Sequence, residues 1–171
     1  MRPCGRSRTA PREQEARPVS TPSLTAQTIA LEAGAESPLW ATSLRSEPAW
    51  DDVFSPLAPA RYALGLETIY EAYLVHYGES RLFAPAEEGE RVLLGDYLYA
   101  HGLVRIAQEG GVEAVAVMAE LISSCAALRA SGKEGEGDAW IFAARALGGE
   151  PSDAQVAAAL ARHEGRVTER T

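Results

Sequence analysis

An all-α fold, a single helical bundle, is what this chain predicts, and three observations carry the expectation. Apolar residues recur at helical spacing through most of the 171 residues. Gly and Pro fall between those stretches rather than inside them. No segment shows the βαβ pattern of strands alternating with helices, so parallel sheets and dinucleotide-binding units are excluded. The length suits one domain with a proper core and is too short for two substantial ones.

Taken in order, residues 1–22 form an expected disordered leader. They carry five Arg against two Glu, four Pro and no apolar periodicity. No apolar h-region of a secretory signal is present in them. The single all-α domain is expected over 23–165, with 166–171 as a tail. Residues 24–34 (LTAQTIALEAG) read as a first helix ending at Gly34. Ser37 and Pro38 open a second, running toward Pro48. WDDVFSPLAP is a Pro-flanked connector. Asp51 and Asp52 there mimic the start of a metal motif, but the fifth position is Ser55, so a turn or cap is the expected role.

A third helix is expected from near Pro59 to Gly78. Leu66, Ile69, Tyr70, Tyr73, Leu74 and Tyr77 share one face, and Glu67 and Glu71 fall on the opposite side. Residues 87–108 are apolar nearly all round, which predicts a helix at the centre of the bundle. Gly110 and Gly111 separate it from a fifth helix whose face is Ala114, Val117, Met118, Leu121, Cys125 and Leu128. SGKEGEGD is a charged hinge, in which Glu134, Glu136 and Asp138 read as solvated loop. Two short helices follow, 138–147 capped by Asp138 and 152–163 opened by Ser152.

Composition bounds the partners. The net charge is −8; residues 24–171 hold eleven basic and twenty-two acidic groups, a net of −11. Nucleic acid phosphates and anionic lipid heads favour basic surfaces, so neither is an expected partner. Apolar runs are broken by Gly, Asp, Glu or His short of the roughly 20 residues that cross a bilayer, so no transmembrane segment is expected. Two Cys, at 4 and 125, build neither a disulfide framework nor a Cys-based zinc site, which fits a reducing, cytoplasmic setting. Ser123, Ser124 and Cys125 lack a neighbouring base for nucleophilic chemistry.

Two stretches carry a further likeness: LETIYEAYLVHYGESRLF at 66–83 and LLGDYLYAHGLVRIA at 93–107. Together they resemble the trans-isoprenyl diphosphate synthase (polyprenyl synthetase) family, over about residues 58–132. That family's helix reads like E-L-I-H-T-A-x-L-I-H-D-D-x-x-D, and Glu67 through His76 run in step with it. The resemblance implies part of the isoprenoid synthase fold, in which three Asp hold Mg²⁺ and the Mg²⁺ holds a diphosphate. Such chemistry needs hard anionic oxygens at helical spacing. Here those positions are Tyr77, Gly78 and Arg81, with Glu79 the one carboxylate, and the chain stops before a second Asp-rich motif.

The expected function is therefore a shortened relative, not catalytic alone, needing no Mg²⁺. It would act as a binding module, as a homo-oligomer, or as partner subunit of a complete prenyl diphosphate synthase. Two alternatives stay open: a divergent enzyme acting on an isoprenyl diphosphate or other small anion, and a purely structural helical protein. Candidate ligand-binding residues are His76, Glu79, Arg81, Asp96, Tyr77 and Tyr99. His76 also suits a helix end, where its charge meets the dipole. Asp96, set in the most apolar helix, calls for a buried partner or a polar cavity. Convergence of Glu79, Arg81 and Asp96 on one cavity separates an enzyme from a non-enzyme.

Overall fold

The computed structural model describes residues 22–167, so the expectations for the leader and for Cys4 lie outside the described residues. Six α-helices and two 3-10 turns make up the secondary structure of those residues, and the β structure among them is one isolated antiparallel bridge, Leu44 to Phe83. The fold is an all-α bundle.

Helix α1 spans Leu24–Glu36. Ser23 caps it, its Oγ accepting from Thr25 N–H at 3.1 Å and donating to Asp52 at 2.8 Å. It runs past Gly34 because its inner face of Ala26, Ile29, Ala30 and Ala33 stays buried to that point and Ser37 closes it. Helix α2, Pro38–Thr42, is a single turn capped by Ser37 and stops well short of Pro48. The chain leaves helix there to pair with a later loop: Arg45 N–H donates to Leu82 O and Ala84 N–H to Ser43 O. This non-local pairing outweighs local helix propensity.

The 3-10 turns Ser55–Leu57 and Ala60–Tyr62 lead into α3, Ala63–Tyr77. Every residue of α3 from Gly65 to Val75 is buried. It packs along α4, Glu88–Ser131, with α1 beside it and α5, Glu136–Ala146, joining α4. Helix α6, Asp153–Glu164, is held at its start by a reciprocal capping box between Ser152 and Gln155. The α3 and α4 backbones approach closely at Gly102, where a Cβ would stand 2.4 Å from Ile69 Cγ1. Asp138 lies in the first turn of α5, and the cap is Gly135.

Helix α4 bears out one expectation and corrects another. Gly111, with φ 65° and ψ −157°, is non-helical and divides it into two helical stretches where a Gly-Gly separator is expected. It is not the centre of the bundle: that place belongs to α3. Val92, Leu93, Val104 and Val112 of α4 are exposed, and its burial is confined to one stripe, including Leu94, Leu98, Ile106, Met118 and Cys125. Among the described residues α4 is the one helix long and apolar enough, by length and composition, to cross a bilayer, a test that core helices of soluble proteins also pass.

Candidate functional site

The two glutamates of α3 are the first departure from expectation. Glu67 and Glu71 are fully buried, not on a polar outer side. Between them lies Arg81, also fully buried, from the α3–α4 loop. Its Nε donates to Glu71 Oε2 at 2.9 Å, and one terminal nitrogen donates both to Glu67 Oε2 and to the Asp51 carbonyl at 2.7 Å. Burial alone would pull the guanidinium down; Glu67 and Glu71 together outweigh it and hold it above its ordinary value.

Two carboxylates and one guanidinium leave an excess negative charge, which backbone donors meet. Glu67 Oε1 accepts from the N–H groups of Val53, Phe54 and Ser55 at 2.8–2.9 Å. Glu71 Oε1 accepts from Leu82 N–H at 3.0 Å and from the Ser80 hydroxyl. Arg81 also lies 5.1 Å over the Tyr70 ring. The cluster bolts the connector at 51–55 and the loop at 80–82 onto α3. Arg81 is thus a structural cation engaged on each of its nitrogens, a correction to its expected ligand role.

His76, Tyr77, Asp96 and Tyr99 do come together, at the C-terminal end of α3. The imidazole stacks on Tyr99 with ring centroids 5.3 Å apart, and Tyr77 lies 5.7 Å away. Gly95 makes room for it: a Cβ there would stand 2.3 Å from His76 Nε2. The Gly of GDYL in α4 and the His nine positions after Glu67 in α3 are therefore one packing unit. Asp96 Oδ1 lies 3.3 Å from Nε2, near enough to pair with a protonated ring, yet Nε2 is buried and makes no hydrogen bond. Burial, with Arg91 nearby, lowers the His76 pKa against the pull of Asp96. The Asp96 side chain is 67% exposed, which corrects the expectation that it is buried or faces a cavity.

Glu79 stands apart from both groups. It is exposed, lies 3.5 Å from Arg45, and borders an open cleft of about 410 Å³ with Arg45, Ser80, Pro85 and Arg91 on its walls. Arg45 is steadied by Nε donating to Phe83 O at 3.0 Å. Glu79, Arg81 and Asp96 therefore do not converge: the first borders the cleft, the second is sealed in the core and the third is exposed beside His76.

Other candidates resolve as packing. Asp51 accepts from Arg166 at 3.1 Å, and Asp52, its pKa raised by burial and by Glu67, accepts from Ser23. Glu136 is buried against Arg129 Nε at 2.5 Å rather than solvated. His101 packs on Tyr97, and Arg105 pairs with Glu32 and Thr68. Burial pushes the Cys125 thiol up to about 12, which leaves it unreactive. Among the described residues no three His, Cys, Asp or Glu side chains are grouped to hold a metal ion.

Sequence reasoning missed Glu67, Glu71 and His163. The signal for the glutamates was their i, i+4 spacing on a helix otherwise largely apolar, with an Arg in the loop that follows. His163 had no such signal; it sits among Phe54, Tyr70, Tyr73 and Trp140, with Nδ1 3.2 Å from the Tyr70 hydroxyl. Comparison with known proteins finds no matching family model, curated protein or solved structure.

Proposed function

We propose that this chain is a polyprenyl-synthetase-like binding module of the cytoplasm, not catalytic alone, which serves as a partner subunit through the outer side of α4. One observation carries the reading. The carboxylates of the helix that resembles the family's catalytic helix are saturated by Arg81 and backbone donors, while α4 keeps Leu93, Val104 and Val112 exposed at 58%, 56% and 79%. Large exposed apolar patches mark interaction sites, and with Val92, Leu93, Val104 and Val112 helix α4 has more exposed large apolar side chains than any other described helix.

The test is capture of a tagged, complete prenyl diphosphate synthase by the purified chain. Capture that Val104→Glu with Val112→Glu abolishes supports the reading; no capture, or capture that ignores those changes, counts against it. Millimolar Mg²⁺ is expected to leave the melting temperature unchanged, since a ligand that binds the native state alone must raise it. An upshift lost in Glu79→Gln would return the chain to the metal-using enzymes.

A second reading, a divergent enzyme for a small anion, rests on the cleft between Arg45 and Arg91. It expects inorganic diphosphate to raise the melting temperature of the native chain and not of Arg45→Ala.

A further inference from the structure

Helix α6 closes the end of the aromatic core with little of its own surface. Its buried residues are Ala159 and His163, with Val156 and Leu160 half-buried beside them. Ser152 and Gln155 complete its first turn from within, so α6 carries its own start. It joins α5 through a turn in which Gly148 has φ 96°, a conformation that favours glycine. Helix α6 is thus a separate unit on a short tether.

An imidazole seats it. His163 enters a pocket of Phe54, Tyr70 and Tyr73, with ring centroids 5.5, 5.9 and 5.8 Å away. Its Nδ1 lies 3.2 Å from the Tyr70 hydroxyl, whose hydrogen bond a neutral ring accepts. Helix α5 makes room at Gly137, where a Cβ would stand 2.6 Å from Leu160 Cδ2 and 3.4 Å from His163 Cδ2. The remaining ties lie at the rim. Arg166 and Arg162 reach Asp51 at 3.1 and 3.9 Å, Gln155 donates to Pro56 O at 3.3 Å, and Arg166 O accepts from Glu79 N–H at 2.9 Å. Ion pairs open to solvent hold little, so the docking turns on His163.

We propose that α6 is an acid-released latch: it is shut while His163 is neutral, and a proton on the ring drives it from the pocket, uncovering Phe54, Tyr70 and Tyr73 while α3 and α4 stay folded. The groups around the ring do not rescue the imidazolium. Arg129 of α4 opposes it; Glu136 of α5 favours it but is already paired with Arg129. Arg81 lies 5.1 Å over the Tyr70 ring and Arg129 5.9 Å over that of Tyr73, so both rings already hold a cation. Burial therefore decides, and the ring's pKa is about 4 in the closed latch against 6.5 when free. The open form takes up the proton that the closed form refuses. The ratio of open to closed thus rises roughly tenfold per pH unit as pH falls from 6.5 toward 4, and above 6.5 it is flat. Neither the exposed side of α4 nor a partner enters this inference, which stands or falls apart from the docking reading.

Hydrogen exchange of the full chain, corrected for the intrinsic rate at each pH, tests it from about pH 8 to about pH 5.5. Amides of 155–164 are expected to hold their protection down to about 6.5 and to lose it roughly tenfold by 5.5, while those of 66–75 keep theirs. His163→Gln, which retains a polar group for the Tyr70 hydroxyl, is expected to remove the pH dependence of α6, and Asp51→Asn, which weakens the rim, to leave it in place. Proton NMR of the native chain gives a readout that needs no variant: the His163 ring resonance shifts in step with the opening of α6. Loss of protection in α6 and α3 together, or α6 protection unchanged at pH 5.5, overturns the proposal. So does a pH response that His163→Gln keeps or Asp51→Asn abolishes, or an opening of α6 that leaves the ring resonance where it was.

Discussion

Helix α3 carries two glutamates and is buried on every side from Gly65 to Val75, whereas α4 holds a stretch apolar enough to cross a bilayer and is buried along one stripe. Charge in α3 is tolerated because each carboxylate oxygen has a partner. Apolar side chains on α4 stay outside because no described element covers them. Burial follows what neighbouring elements supply, and composition alone does not determine it.

The largest expected effect strikes the α3 side of that contrast. Removing Arg81 strands two buried carboxylates, so Arg81→Ala should lose about 3–5 kcal/mol. Urea unfolding measures it, and a loss under about 1 kcal/mol would mean the cluster is not holding the loops.

Acid should act next. Burial lowers the His163 pKa to about 4. The unfolded chain, near 6.5, takes up a proton that the native chain refuses, so stability present above about pH 6.5 is lost as pH falls toward 4, by about 3 kcal/mol. Asp52, raised, works in the opposite direction. Melting temperature against pH should flatten over this window in His163→Gln, and an unchanged slope would discharge His163 from the effect.

Smaller still are two substitutions on α4 itself. Gly95→Ala, on its inner side, drives a methyl into His76 and should cost about 1–3 kcal/mol. Leu93→Ala, on the outer side, should change the stability of the isolated chain by about 0.5 kcal/mol or less. Equal losses from the two would show that both sides of α4 are packed within one chain.

Much of the fold was readable in the residues. Ser37 and Ser152 cap helices at their local positions, and the Gly110-Gly111 pair marks the break in α4, because caps and turns are decided by near neighbours. Helix α2 ended early and Glu67 and Glu71 turned inward because their partners lie elsewhere in the chain, at Leu82 and Arg81. Counting apolar positions on 87–108 misplaced the core, since Val and Ala fit an interior and a subunit contact alike. Of the candidate site, His76, Tyr77, Asp96 and Tyr99 do meet, but the cation at position 81 was drawn inward by acids that periodicity had put outside.

Sedimentation of the native chain beside Val104→Glu with Val112→Glu tests the central contrast most directly. The native chain is expected to self-associate at micromolar concentration or to bind a hydrophobic dye through that face, and the variant to do neither at unchanged helix content. A native chain that is a compact monomer, and that binds no hydrophobic dye, would contradict it.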